Sequence, residues 1–346
     1  MASGGSLQIH GANVSRKGAT FECKRQKPKL LSWWGFGDCT FRPDPCLTHY
    51  AWFFGSPDLH LLPTTSPMPN PLLPYLQHWN LLADGPSIET SNAILLPVRW
   101  HGQAAMLKVS TSPEEIQGYD LLEWWQGQGA AKVLARSENA LLMERATETQ
   151  SLVTMSHSGQ DEQASRIICD VVAQLHQSSH PKKGTQAARA TPNTLTPLHD
   201  WFQSLEQVDT SLHPIVLLAR QTMRELLSQP RELVCLHGDI HHHNILDFGP
   251  RGWLAIDPKG LIGERAFDYA NLFCNPDAES AINADRFLTR VDTVSKHAKL
   301  DRRRLLQWTL AWCGLSAIWH FEDESDADIA LQIATMAAHA LQSTVL

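Results

Sequence analysis

The 346-residue sequence predicts an α+β protein, with a small antiparallel sheet in its first half and a mainly helical second half. Three observations carry this. Two apolar runs, residues 93–99 and 103–109, flank the turn Trp100-His101-Gly102 and read as a hairpin. A second pair of runs, 132–136 and 140–144, is separated by Ser137-Glu138-Asn139. Further on, Ile167, Ile168, Val171, Val172 and Leu175 recur at helical spacing between Ala164 and His176, the stripe of a core-facing helix.

Composition bounds the rest. The chain is long enough for two domains and a large core. A 43% hydrophobic and 19% charged content is that of an ordinary globular protein. The net charge of -7, with no basic block, argues against a nucleic-acid partner. No run of about 18 apolar residues suggests a membrane span, and Met1–Ser6 has no signal-peptide pattern. Seven cysteines form no C-x-x-C pair, and Cys23, Cys39 and Cys46 near His49 fit no zinc spacing. Reduced thiols in the cytoplasm are expected.

Residues 1–67 form an extension without sustained period, containing a basic run at 24–29, the pair Trp33-Trp34 and many prolines. It reads either as an accessory segment or as sequence ahead of a domain that opens at Met68; a chain starting there is expected to remain active. Residues 68–146 are expected to form the sheet-rich part, and 147–346 the helical part.

Within the first part, Lys108 sits in an apolar run, where a buried charge needs a partner; a strand-edge lysine facing water is the alternative. Ser112-Pro113-Glu114-Glu115 is a capping-box start for a helix through about Trp125, with Glu115 positioned to bond back to the Ser112 amide. No G-x-G-x-x-G and no Walker A motif occurs. The stretch 85–92 instead offers the hydroxyls and amides of Thr90, Ser91 and Asn92 as phosphate donors, or is an ordinary polar turn.

The second part holds the most specific pattern: His237-Gly238-Asp239-Ile240-His241-His242-His243-Asn244, then Trp253-Leu254-Ala255-Ile256-Asp257. The Asp-x-x-x-x-Asn spacing equals that of the protein-kinase catalytic loop, with Gly238 where those enzymes carry arginine. One carboxylate to orient a hydroxyl, and an amide oxygen and second carboxylate for magnesium, are the parts phosphoryl transfer needs. Each residue also has a plainer reading. The three histidines suggest a transition-metal site, but consecutive side chains diverge; His237 could be a core histidine and Asn244 a turn residue. Asp268 is expected to brace the loop through backbone amides. Lys259 either touches a phosphate or faces solvent. Glu322, Asp323 and Glu324, with Asp326 and Asp328, form an acidic cluster that is either a solvated face or a cation-binding wall.

The stretches 236–245 and 252–258, with Gly260–Glu264, Ala270–Phe273, Asp301–Leu306 and Gly314–Trp319, resemble aminoglycoside phosphotransferases of the streptomycin 6-kinase and hydroxyurea-kinase group. Weaker similarity reaches back to about residue 80, so about three quarters of the chain is covered. The resemblance implies a two-lobed, protein-kinase-like fold and ATP- and magnesium-dependent phosphorylation of a hydroxyl on a small molecule. It implies Asp239 as catalytic base, Asn244 and Asp257 as magnesium ligands, and Lys108 on the nucleotide phosphates with Glu115 as its partner. The backbone at Glu144-Arg145-Ala146 would bind the adenine edge. Streptomycin at its 6-hydroxyl is the implied acceptor, with antibiotic resistance as the outcome. A housekeeping amino sugar or amino alcohol, and a catalytically weak nucleotide-binding module, stay as alternatives.

Overall fold

A computed structural model describes residues 70–147, 149–179, 190–209 and 213–343. The extension 1–67 and most of the polar stretch 178–196 lie outside them. The first half builds one sheet from β1 (Leu82–Ala83), β2 (Ile88–Glu89), β3 (Ile94–Trp100), β4 (Gln103–Val109), β5 (Val133–Ser137) and β6 (Ala140–Glu144). All its pairings are antiparallel, in the order β1-β3-β4-β6-β5 with β2 also on β3. Both expected hairpins are present. His101 and Gly102 turn the first with φ of 50° and 81°, the left-handed pair that a two-residue hairpin turn demands. Alternation along β3 and β4 sends Leu96, Val98, Ala105 and Leu107 to one buried face with Leu142 of β6.

Between the two hairpins runs the helix Pro113–Trp125, started by proline at its first position. It ends at Gln126, in the left-handed region at φ 52°.

The second half is mainly helical. Its central helix, Arg302–Glu322, is buried at nearly every position from Arg304 to Trp319, as expected of a helix apolar all round. Helices Pro214–Ser228 and Asp328–Gln342 pack against it. Five short strands in two small sheets present the loops that matter: β7 (Thr196–Pro197), β8 (Leu233–Leu236), β9 (Ile245–Asp247), β10 (Trp253–Ala255) and β11 (Leu261–Glu264). β11 lies between β7 and β8, and β9 pairs with β10. The motif loop 237–244 joins β8 to β9, and Asp257 follows β10.

The two halves are stitched beside the crossing at 145–150. Asp247 accepts from the Thr147 amide through its carbonyl at 2.8 Å, and from the Gln150 amide at 3.2 Å and the Thr149 hydroxyl through its carboxylate. The Ala255 amide donates to Gly129 and its carbonyl accepts from Ala131, each at 2.9 Å. Arg251 reaches both the Glu144 carboxylate and the Gly127 carbonyl. Among the described residues, no helix is long and apolar enough to cross a membrane.

Candidate active site

A cleft of about 1380 Å³ lies between the sheet and the helical part. Lys108 enters it from β4, opposite Leu95 of β3 and Leu141 of β6, and is only 5% exposed. Its ammonium group contacts both the Glu115 and the Asp257 carboxylates. Burial alone would push the Lys108 ammonium down, but Asp257 and Glu115 outweigh it and hold the group above the ordinary lysine value. Burial likewise pushes Asp257 up, and the charges of Lys108 and Lys259 more than reverse that, holding its carboxyl below the usual range. The open question at Glu115 is answered by geometry: its carboxylate goes to Lys108, and the Ser112 amide donates to the Ser110 hydroxyl at 3.0 Å.

The motif loop is braced from beneath. Asp268 accepts from the His237 amide at 3.0 Å and from the Gly238 amide at 2.7 Å, and meets His176 Nε2 at 2.7 Å. A side chain cannot replace Gly238: its φ is 85°, and a Cβ there would lie 2.7 Å from Leu261 Cδ1. This tight turn is why glycine stands where protein kinases place arginine.

The turn leaves Asp239 facing the cleft with both carboxylate oxygens addressed. Asn271 Nδ2 donates to Oδ1 at 2.6 Å, and Asn244 Nδ2 approaches Oδ2 at 3.3 Å while donating to the Asp239 carbonyl at 2.9 Å. Asn275 in turn donates to Asn271. With its Nδ2 turned to Asp239, Asn244 keeps the acceptor oxygen Oδ1 facing outward. Its carbonyl accepts from the Ile256 amide at 2.9 Å, which sets it beside Asp257. These two residues offer hard oxygens, a set that suits magnesium with retained waters and substrate phosphates.

The histidines diverge. His241 Nε2 lies 3.7 Å from Asp239 Oδ1, and burial lowers its pKa to about 4. His242 is 2% exposed, with both ring nitrogens unpartnered among the described residues. Among the described residues, no three His, Cys, Asp or Glu side chains close on a point that could hold a metal.

Other expected residues fare differently. Ser91 and Asn92 line the cleft, but the Thr90 hydroxyl and amide are both bonded to Ala93 and are not offered to a ligand. Glu144 and Ala146 also line it. The Glu144 amide donates to the Lys132 carbonyl at 3.0 Å, so that backbone group is taken, and its carboxylate accepts from the Lys132 amide at 2.6 Å. Ala146 makes no main-chain hydrogen bond to another described residue. In the acidic cluster Asp326 lines the cleft, whereas Glu322, Asp323 and Glu324 stand exposed outside that lining. The central helix ends at Glu322 and the chain turns at Glu324, φ 52°, pointing this corner outward.

Two residues that sequence reasoning left aside, Glu114 and Asn271, stand in the site, and so does Lys259, for which a phosphate contact and a solvent-facing position were both open. Burial pushes the Glu114 carboxyl above its ordinary value. The signal for Lys259 was its place two residues after Asp257; nothing local marked Asn271 or Glu114.

A two-part fold with these carboxylates, amides and a paired lysine in one cleft defines a small-molecule phosphotransferase. Among solved structures, the fold is similar to an aminoglycoside phosphotransferase solved with ADP and hygromycin B (TM-score 0.53, 12% identity, 78% of this chain and 97% of that one). It is also similar to a choline kinase from Cryptosporidium parvum (TM-score 0.51, 12% identity, 76% and 89%). The profile of the aminoglycoside/hydroxyurea antibiotic resistance kinases matches residues 78–324. A streptomycin 3''-kinase of Klebsiella pneumoniae is 47% identical over 253 residues, covering 72% of this chain and 91% of that protein. A streptomycin 6-kinase of Streptomyces glaucescens is 27% identical over 82% of this chain and 92% of its own length. The chain therefore belongs to the aminoglycoside/hydroxyurea antibiotic resistance kinase family, and it is a phosphotransferase with an alcohol group as acceptor.

Proposed function

We propose that this protein transfers the γ-phosphoryl group of ATP to a hydroxyl of streptomycin and so inactivates the antibiotic in the cytoplasm. The observation that carries the reading is Asp239, fixed at both oxygens by Asn271 and Asn244 on the same cleft as the Lys108–Glu115 pair. Asp239 orients the acceptor hydroxyl and takes its proton as the new O–P bond forms and the bond to the leaving ADP breaks. Lys108 steadies the nucleotide phosphates. Asn244 and Asp257 hold magnesium, which when bound neutralises phosphate charge. Ser91 and Asn92, which line the cleft, donate to the phosphates, and the backbone of Ala146 takes the adenine edge. Asp277, Asp326, Trp201 and Trp319 also line the cleft, side chains that suit a polycation.

The 47% identity to a 3''-kinase, against 27% to a 6-kinase, favours the 3''-hydroxyl over the 6-hydroxyl as the accepting position. Incubation with magnesium-ATP and streptomycin, followed by mass spectrometry and NMR of the product, tests both points. One phosphate at the 3''-oxygen is the expected result. A 6-phosphate overturns the position, and no streptomycin product overturns the acceptor.

A further inference from the structure

Among the described residues, three Lys or Arg side chains line the cleft: Lys108, Arg145 and Lys259. Two already donate to carboxylates. Lys108 is held by Glu115 and Asp257, and Arg145 donates to Asp84 at 2.7 Å, out on the sheet side. Lys259 is held differently. Its Nζ lies 3.5 Å from Glu115 Oε1 and 3.6 Å from Glu114 Oε1, ion-pair distances that leave its three N–H donors without a hydrogen-bond partner among the described residues. A buried ammonium so placed is oriented but still has donors to give.

Its backbone is fixed where reacting groups would meet. The Lys259 amide donates to the His237 carbonyl at 2.7 Å, and a Cβ on Gly238 would lie 3.1 Å from Lys259 Cβ. The lysine stem therefore rises directly beside the residue preceding Asp239. On its other side, two positions back, stands Asp257. Gln117 Nε2 bonds the Gly260 carbonyl at 2.7 Å and the Thr196 hydroxyl at 2.9 Å, anchoring the same turn to the Pro113–Trp125 helix. Four carboxylates (Glu114, Glu115, Asp239 and Asp257) face two ammonium groups here. A polyanion entering this space needs a cation positioned between the acceptor side and the metal side, and Lys259 stands there.

We propose that Lys259 is a catalytic residue that donates N–H bonds to the γ-phosphoryl oxygens during transfer, while Lys108 holds the inner phosphates. The assignment rests on the nucleotide-dependent reading above. The ammonium keeps its protons throughout: the acceptor oxygen bonds to phosphorus, the β–γ bridge breaks, the acceptor proton passes to Asp239, and charge on the equatorial oxygens is met by Lys259.

The test compares magnesium-ADP with the magnesium complex of the β,γ-imido analogue of ATP, by calorimetry without acceptor. In Lys259→Met, ADP affinity should stay within about twofold of wild type, while analogue affinity falls about 10- to 100-fold, the scale of one charged hydrogen bond. Turnover with streptomycin should fall further. The double variant Glu114→Gln/Lys259→Met, which restores the local charge balance, should bind and turn over no better than Lys259→Met. Equal losses for both nucleotides, unchanged affinity for both, or recovery in the double variant would each show that Lys259 only neutralises the helix carboxylates. Wild-type protein that binds neither nucleotide removes the nucleotide-dependent reading and this assignment together. Wild-type protein that separates the two, beside a variant that separates them equally well, removes Lys259 alone.

Discussion

A Cβ on Gly118 would lie 2.1 Å from the carbonyl oxygen of Pro258, so the Pro113–Trp125 helix and the turn after β10 touch backbone to backbone. That contact sets the distance between Glu114 and Glu115, at the start of the helix, and Lys259, the next residue after Pro258. The helix of the sheet part and the metal-side loop of the helical part are placed by one missing side chain.

Gly118→Ala should therefore separate them. Backbone faces backbone, so the added methyl can be accommodated only by moving the helix or the turn. A loss of about 1–3 kcal/mol of stability is expected, with turnover falling more than stability alone explains. Thermal unfolding and turnover at a temperature where both proteins are folded check this. An unchanged melting temperature would mean that the two elements are not seated this closely.

Asp239→Ala is expected to lower turnover about 10²- to 10⁴-fold, the range of a general base, with nucleotide affinity near wild type. The carboxylate touches Asn244 and Asn271 rather than the Lys108 pair, so nucleotide binding has little reason to change. A variant that keeps half of wild-type turnover at saturating acceptor removes Asp239 from this role.

Asp257→Asn keeps the shape and removes one negative charge from the Lys108 cluster. Nucleotide affinity in magnesium should drop on the order of 10- to 100-fold, while affinity in excess chelator should change little. Titrations with and without magnesium separate the two. Equal affinities for the variant and wild type in magnesium would argue against metal ligation.

His242 gives a pH dependence. Burial, and then the Arg290 guanidinium, hold its pKa well below the ordinary 6.5 against the pull of Asp161. The folded state thus favours the neutral ring. Its contribution to stability is complete above pH 6.5 and is lost as the pH falls from there toward the lower folded value. Between pH 7 and 5, wild type should lose about 1–2 kcal/mol more than His242→Phe, at about 1.4 kcal/mol per pH unit. Chemical denaturation at both pH values measures the difference; parallel curves would show that this ring does not titrate on unfolding.

The sheet was readable because alternation and turn residues are local: 103–109 and 140–144 are strands over the residues expected. The order Asp239, Asn244, Asp257 was readable because motif spacing is local too. What stayed hidden depends on distant partners. Glu115 had two equally local roles, and only Lys108 across seven residues and Asp257 across the cleft decide between them. Lys259 faces the cleft because Asp257 and Gly260 turn at φ 61° and 68° and Gly118 lets the turn dock. Asn271 finds Asp239 across 32 residues. Glu144 was expected to offer its backbone to the adenine edge, and only the folded position of Lys132 shows its amide engaged.

The covalent chain passes from sheet to helical part beside Thr147, an exposed residue. Yet Asp247 grips residues on the far side of that crossing, Arg251 reaches back to Gly127 and Glu144, and β10 pairs with the segment at Gly129 and Ala131. A protease cutting the peptide after Thr147 would leave two fragments still clasped by the β9–β10 hairpin. The nicked enzyme would migrate as one particle under native conditions, held also by the Gln117 bonds to Thr196 and Gly260.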